Sequence, residues 1–457
     1  MSVKILNNPV YNINNYSLLY PLNDQPILLK GELEIREKDT LLLSGNSGSG
    51  KTSLLYTLKG LIPETIWGKL GGTIYFRNRN IIDLSPLEKA QIGLLFQNPA
   101  CQMVNRTVRQ ELAFGLENLG ISPSDIWQKI TYLAEEFAII NLLDRDVTRL
   151  SGGEMQKIAL LSIMAMEPEV YLFDEPTAFL DPDSARHFIA VFQRIVQQKT
   201  VIVVEHNLNY LQDYINRIIQ INEQHEIKEL DTKLFSWHQS FPALPAVSPG
   251  ESILKVRNLK FGYTDNPILF QGVDFELREG EIVGIVGANG SGKTTLLKIL
   301  AGNIRKYIGN VLYKNTDIRL LKPKIYFQDI SLLFQDPANH FLFSRVIQEV
   351  SGRSDLLRIS GLTGFGERNP FTLSEGEKRR LSLAIQWAGN RQIYLLDEPT
   401  FGQDYASRLA LIDLVGRLRQ QGCSFIIAGH DYAFLAAVCT RILEFKQGTL
   451  QPREIRQ

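Results

Sequence analysis

Gly45-Asn46-Ser47-Gly48-Ser49-Gly50-Lys51-Thr52 returns, 242 positions later, as Gly287-Ala288-Asn289-Gly290-Ser291-Gly292-Lys293-Thr294, with Thr295 following. Before the first copy stands the apolar run Thr40 to Ser44, and before the second Glu281 to Val286. Both runs read as buried strands, and Ser53 to Lys59 behind the first copy reads as a helix. A glycine-rich turn between strand and helix aims backbone N–H groups at an anion, and the helix N-terminus adds positive potential. A lone Gly-rich turn with an incidental lysine is an unremarkable surface loop; two copies in the same context point to phosphate binding. Lys51 and Lys293 would then sit at the β and γ phosphates, and Thr52 and Thr294 would offer hydroxyls to Mg²⁺.

Four further segments repeat in the same order. Phe96-Gln97-Asn98-Pro99-Ala100 becomes Phe334-Gln335-Asp336-Pro337-Ala338, and Leu150-Ser151-Gly152-Gly153-Glu154 becomes Leu373-Ser374-Glu375-Gly376-Glu377. Asp174-Glu175-Pro176-Thr177 becomes Asp397-Glu398-Pro399-Thr400, and Glu205-His206-Asn207 becomes Gly429-His430-Asp431. A duplicated domain is the direct reading. Apolar strands alternate with helical stretches in each copy, which points to an α/β fold with a mainly parallel sheet. The copies differ in length: Gln97 to Ser151 spans 54 positions and Gln335 to Ser374 only 39, so the second copy has less of the amphipathic helical sequence seen from Ile126 to Ile140. Pro-rich sequence around Phe241 to Gly250 marks the junction. The expected organisation is a first domain over 1–230, a linker over 231–251 and a second domain over 252–457.

Composition sets outer limits. Lys plus Arg number 49 and Asp plus Glu number 49, so there is no basic excess of the kind that wraps nucleic acid. Cys101, Cys423 and Cys439 fit neither a zinc site nor a disulfide framework, which suits a reducing compartment. Met1 to Tyr11 does not read as a signal peptide, and no run of about 18 apolar residues offers a membrane span.

Val170 to Phe173 is an apolar strand that ends in Asp174-Glu175, and Ile393 to Leu396 ends in Asp397-Glu398. Alone, such an acid pair would be a solvated turn. At the end of a buried strand downstream of a phosphate loop, adjacent acids divide the work: Asp174 and Asp397 toward Mg²⁺, Glu175 and Glu398 as general bases on water. His206 and His430 each follow a strand, 32 and 33 positions beyond the matching aspartate. That places them where γ-phosphate contacts form in an open α/β sheet. A single histidine there would more often be structural; the matched pair favours a shared role.

Together these segments resemble the ABC (ATP-binding cassette) ATPase superfamily, and the resemblance covers nearly the whole chain. It implies two tandem P-loop ATPase domains, each a mainly parallel sheet with a helical subdomain, paired as a pseudo-twofold sandwich around two ATP molecules. Gln97 and Gln335 would join the catalytic groups and contact Mg²⁺. Ser151, Gly152 and Gly153 would close on the nucleotide of the Lys293 site, and Ser374 with Gly376 on that of the Lys51 site. Tyr263 looks like the aromatic residue that stacks on adenine, with Tyr20 as its looser first-copy counterpart.

The stretch from Phe96 through Cys101-Gln102, Thr107-Val108 and Glu111-Leu112-Ala113-Phe114-Gly115 is similar to ATPases of energy-coupling factor (ECF) importers. So is Thr400-Phe401-Gly402-Gln403-Asp404. This resemblance implies vitamin or transition-metal uptake, with a lean toward thiamine or its pyrimidine precursor. The partners would be a transmembrane coupling protein and a membrane substrate-capture protein, the location the cytoplasmic face of the membrane, and no nucleic acid would be bound. The competing readings are a tandem ABC protein acting on ribosomes or DNA, and a sugar-importer ATPase. The short interval from His206 to Tyr263 and the three scattered cysteines disfavour the first. Glu375 stands where the first copy has Gly152, and an acid facing phosphates disfavours them electrostatically. The Lys51 site, which Glu375 would face, is therefore expected to be the slower one. Glu175→Gln should cost less ATPase activity than Glu398→Gln, and equal losses in a steady-state assay would count against the asymmetry.

Overall fold

A computed structural model describes residues 9–454 apart from 22–25, 47, 179, 181, 207, 223, 238–239, 264–265, 335–339, 374, 390 and 401. The chain divides into two compact units, Met1–His238 and Gln239–Gln457.

Unit 1 contains strands β1 (Pro9–Leu19), β2 (Ile27–Arg36), β3 (Thr40–Gly45), β4 (Lys69–Phe76), β5 (Arg79–Asn80), β6 (Ile92–Leu95), β7 (Val170–Asp174), β8 (Thr200–Val204), β9 (Arg217–Ile221) and β10 (Ile227–Leu230). Its helices are α1 (Lys51–Leu58), α2 (Pro86–Ala90), α3 (Val108–Asn118), α4 (Pro123–Glu136), α5 (Gly152–Ala165) and α6 (Pro182–Val196). One sheet has the order β10-β9-β3-β8-β7-β6, parallel except for β10. The other is β2-β1-β4-β5, with antiparallel pairings. Strands β7 and β8 are buried at every position because both faces of the parallel sheet are covered. Alternation sorts β3: Leu41 and Leu43 join the core with α1, while Leu42 joins the opposite core with Phe173, Phe188 and Phe192. A third core, around Leu112, Ile130, Ile158 and Leu161, makes α3, α4 and α5 a helical subdomain.

Unit 2 repeats the plan with β11 (Ser252–Tyr263), β12 (Asn266–Arg278), β13 (Ile282–Val286), β14 (Ile308–Tyr313), β15 (Thr316–Asp317), β16 (Ile330–Leu333), β17 (Ile393–Asp397), β18 (Ser424–Ala428), β19 (Arg441–Lys446) and β20 (Thr449–Arg453). The helices are α7 (Lys293–Leu300), α8 (Pro323–Asp329), α9 (Val346–Glu349), α10 (Ser354–Ile359), α11 (Glu375–Ala388), α12 (Tyr405–Gln420) and α13 (Tyr432–Val438). Its sheets are β16-β17-β18-β13-β19-β20 and β12-β11-β14-β15. The shorter Gln-to-signature interval has a structural counterpart: α9 and α10 are stubs, and Val346, Leu357 and Leu381 merge with the sheet core instead of forming their own.

In the stretch expected as a linker over 231–251 most described residues are exposed, with a few apolar side chains packed on one unit or the other. Phe235 and Trp237 lie against the Phe173 core of unit 1. In unit 2, Phe241 stacks on Tyr405 with ring centres 5.1 Å apart, and Leu244 N–H donates to Ala437 O at 2.8 Å. The apolar residues beside the prolines thus pack on a core, while the prolines themselves stay exposed.

Phe173 is fully buried, with ring centres 5.8 and 5.7 Å from Phe188 and Phe192. Phe173→Ala should destabilise unit 1 by about 3–5 kcal/mol, the usual cost of emptying an aromatic core position. Urea unfolding followed at Trp237, with the other tryptophans replaced, reads this; an unchanged midpoint would refute it.

Candidate functional site

The phosphate loops are built from close backbone approach. Gly45 has φ +151°, and a Cβ there would lie 2.8 Å from Ile221 O, so the loop leaves β3 only with glycine. Gly50, at φ +91°, caps α1 without a side-chain bond, which leaves the first helical N–H groups facing the loop. Gly292 does the same for α7.

Lys51 Nζ donates to Gly45 O at 2.8 Å and Asn46 O at 2.9 Å. Lys293 Nζ donates to Gly287 O at 2.8 Å and Ala288 O at 3.2 Å. Each ammonium is thus held across its own loop. Thr52 Oγ1 donates to Asp174 Oδ1 at 3.0 Å, and Thr294 likewise bonds Asp397.

Beyond each aspartate the chain turns through a left-handed residue, Glu175 at φ +47° and Glu398 at φ +49°. A non-glycine residue holds that conformation at a cost of about 1–3 kcal/mol. The neighbouring strand fixes it: Glu175 N–H donates to Val204 O at 2.8 Å and Glu398 N–H to Ala428 O at 2.9 Å. Glu175 Oε2 accepts from Gln97 Nε2 at 2.9 Å, and its Oε1 lies 3.3 Å from His206 Nε2. In unit 2, His430 Nε2 lies 3.4 Å from Glu398 Oε1, 3.0 Å from Asn289 Oδ1 and 3.1 Å from Lys293 Nζ. An oxygen partner needs a proton on that nitrogen and the ammonium needs a lone pair, so the tautomer selects the partner.

Burial and the Glu175 charge raise Asp174 to about 7, against the pull of Thr52 and Lys51. Burial also opposes ionisation of Glu175, but His206, Lys51 and Gln97 outweigh it and hold that carboxyl low. Burial raises Glu398 to about 7, Lys293 counteracting and Asp397 adding to it, and burial raises Asp397 as well. Each unit so gathers its lysine, threonine, acid pair and histidine around one phosphate loop.

Several polar atoms fit a magnesium–polyphosphate ligand. Asp174 Oδ2, Asp397 Oδ1 and Ser291 Oγ are buried with no hydrogen-bond partner among the described residues. Hard oxygen donors of this kind suit Mg²⁺, which takes one or two carboxylates and completes its shell from phosphate and water.

Ser151 caps α5 in a reciprocal arrangement: Glu154 N–H donates to Ser151 Oγ at 3.3 Å and Ser151 Oγ to Glu154 Oε2 at 2.8 Å. Ser151 and Gly152 are exposed while Gly153 is buried, its missing Cβ leaving room for Ser184 Oγ 2.8 Å from where that carbon would be. In unit 2, α11 begins at Glu375 and carries Gly376 in its first turn. Ser47, Gln335 and Ser374 fall outside the described residues.

The two tyrosines occupy equivalent places. Tyr20 OH donates to Ser53 Oγ at 3.0 Å, and Tyr263 OH lies 3.2 Å from Thr295 Oγ1, both partners standing two positions beyond the loop lysine. Ser53 was not singled out from sequence, although Thr295 was; the shared Lys-Thr-Ser/Thr ending was the available signal.

The family model described as ABC transporter matches residues 29–178 and 270–401. "Putative HMP/thiamine import ATP-binding protein YkoD" of Bacillus subtilis is 30% identical over 94% of this chain and 89% of its own length. "Putative ABC transporter ATP-binding protein" of Methanosarcina mazei is 30% identical over 96% of this chain and 93% of its own. Among solved structures, "RNase-L Inhibitor" aligns at TM-score 0.66 with 20% identity, covering 96% of this chain and 90% of that one. "Model of ribosome-bound archaeal Pelota and ABCE1" aligns at TM-score 0.69 with 22% identity, covering 96% and 79%. At that identity the structural likeness speaks for the fold alone.

Lys51→Ala and Lys293→Ala should each weaken ATP binding at their own loop by tenfold to a hundredfold, given about 1.5–3 kcal/mol for a charge-assisted hydrogen bond. Titration with a fluorescent ATP analogue measures this; unchanged affinity in the double variant would refute the assignment.

Proposed function

The chain belongs to the ABC transporter family, and from that premise we propose that it is the ATP-hydrolysing motor of an ECF-type importer. ATP sits at both phosphate loops, its β and γ phosphates against Lys51 and Lys293. Thr52 with Asp174, and Thr294 with Asp397, would hold Mg²⁺, which would supply charge neutralisation. Gln97 and Gln335 complete the metal and water contacts. Glu175 and Glu398 polarise the attacking water, and His206 and His430 contact the γ phosphate. Loss of the γ phosphate changes the charge held at each loop, and that change is the switch by which hydrolysis drives the motor.

One observation carries the importer reading. Seven positions after each Gln-loop glutamine, an apolar residue stands in solvent: Val104 at 67% exposure and Leu342 at 84%, with Phe343 beside the latter at 50%. In both copies a buried glutamate fourteen positions after the glutamine shapes this turn. Glu111 Oε2 accepts from Val104 N at 3.0 Å and Asn105 N at 2.8 Å; Glu349 Oε1 accepts from Leu342 N at 2.6 Å and Phe343 N at 2.7 Å. A buried acid spent on presenting apolar side chains to water makes sense when a partner covers them. That partner is the transmembrane coupling protein, which would hold the motor at the cytoplasmic face and work with a separate substrate-capture protein. The name of the Bacillus relative supports thiamine or its pyrimidine precursor as cargo. Among the described residues no helix is long and apolar enough to cross a membrane, so the path for cargo lies in those partners.

Purification from native membranes should recover a small polytopic protein. The combined variant Val104→Asp and Leu342→Asp should lose it while retaining ATPase activity. Ribosomes in place of that protein would overturn the reading.

A further inference from the structure

The two phosphate sites share their principal residues but differ in the charges behind them. Glu205 is 7% exposed and precedes His206. Its Oε2 accepts from Thr177 N at 3.1 Å and Thr177 Oγ1 at 2.8 Å, and its Oε1 from His206 N at 2.8 Å. These three groups all donate, which favours the carboxylate form. These bonds tie the turn after Glu175 to the backbone of His206. In unit 2 the position is Gly429, and Glu398 Oε2 lies 3.4 Å from where a Cβ would stand. The glycine supplies no carboxylate there.

A second difference lies on the signature helices, five positions after the signature serine. In α5 it is Gln156, whose Nε2 donates to Pro176 O at 3.1 Å, in the turn after Glu175. In α11 it is Arg379, 2% exposed, whose Nη1 donates to Phe334 O at 3.2 Å, at the end of β16 beside the Gln loop. The Arg379 charge also favours ionisation of both Asp397 and Glu398. Unit 1 thus has the buried Glu205 carboxylate where unit 2 has a glycine, and unit 2 has Arg379 and Lys298 where unit 1 has neutral Gln156 and Tyr56. Asp431, which replaces Asn207, lies 3.3 Å from the Arg408 guanidinium and is paired with it.

We propose that Glu205 and Arg379 are positioning residues that make the two sites electrostatically unequal, so that the Lys293 site holds magnesium–ATP more tightly than the Lys51 site. The inference rests on ATP being bound at both loops, as in the function proposed above. A buried unit charge about 10 Å from a polyphosphate, at an effective dielectric near 20, changes affinity by about tenfold.

The test is photolabelling of the full-length protein with 8-azido-ATP and Mg²⁺, with labelled peptides of each unit quantified separately across a nucleotide titration. Unit 2 peptides should half-saturate at a concentration at least about tenfold lower than unit 1 peptides. Arg379→Gln, which installs the residue of the other copy, should weaken the Lys293 site about tenfold, and Arg379→Lys should largely restore it. Glu205→Gln should tighten the Lys51 site, a gain that general damage to the fold would not produce. Equal half-saturation in the parent protein would overturn the proposal. So would an Arg379→Lys variant as weak as Arg379→Gln, or a Glu205→Gln variant that fails to tighten its site. Labelling of neither unit would overturn the nucleotide assignment itself, a distinguishable failure.

Discussion

Each central strand delivers an aspartate into a place shielded from water and leaves one of its oxygens unpartnered. Asp174 and Asp397 are 0% and 2% exposed. A buried carboxylate is costly unless something compensates it. The threonine hydroxyl of the phosphate loop supplies one bond, the loop lysine supplies charge, and the rest is left for a ligand. Strand, loop and helix are all fixed by having to meet at that oxygen. The acid that follows is forced into a left-handed turn, which the neighbouring strand holds through a backbone hydrogen bond. The same geometry in both units means that this constraint survived while much around it diverged.

Divergence is concentrated one layer out. Loop lysines, metal-side threonines, acid pairs and histidines coincide, yet Gln156 faces Arg379 and Glu205 faces Gly429 across the alignment. The helical subdomain of unit 1 has its own core, whereas unit 2 folds its stubs into the main one. The turn that presents Val104 and the turn that presents Leu342 nevertheless rest on the same buried glutamate. What the copies keep in common is the acid pair beside the phosphate loop and a turn with an exposed apolar tip; what separates them is the identity of the polar residues one layer out.

Much of this was legible because the signals are short-range. A four-residue apolar run ending in Asp-Glu downstream of a phosphate loop reads as a buried strand in a covered sheet, and Gly45 through Thr52 dictates its own turn. The shortened helices of unit 2 were foreshadowed by the 54- and 39-position intervals. The roles of Glu205 and Gln156 were not legible. Glu205 reads as a neighbour of His206, and its bond to Thr177 exists only because β7 and β8 lie side by side. Gln156 reads as a polar helix residue until its burial is known. Tyr20 was ambiguous for a different reason: extra residues before Pro26 blur its alignment with Tyr263, and only the fold sets both hydroxyls beside the residue two positions after the loop lysine.

The Pro-rich segment has a practical consequence. Phe241 and Leu244 pack on the core of unit 2, and the Arg419 guanidinium donates to Pro245 O at 3.0 Å. Anyone dividing this gene into two separately expressed halves would choose the prolines as a scissor point, and would thereby strip the downstream half of part of its own hydrophobic cover. A cut placed upstream of Phe241 keeps that cover attached, and leaves Phe235 and Trp237 with the half they belong to.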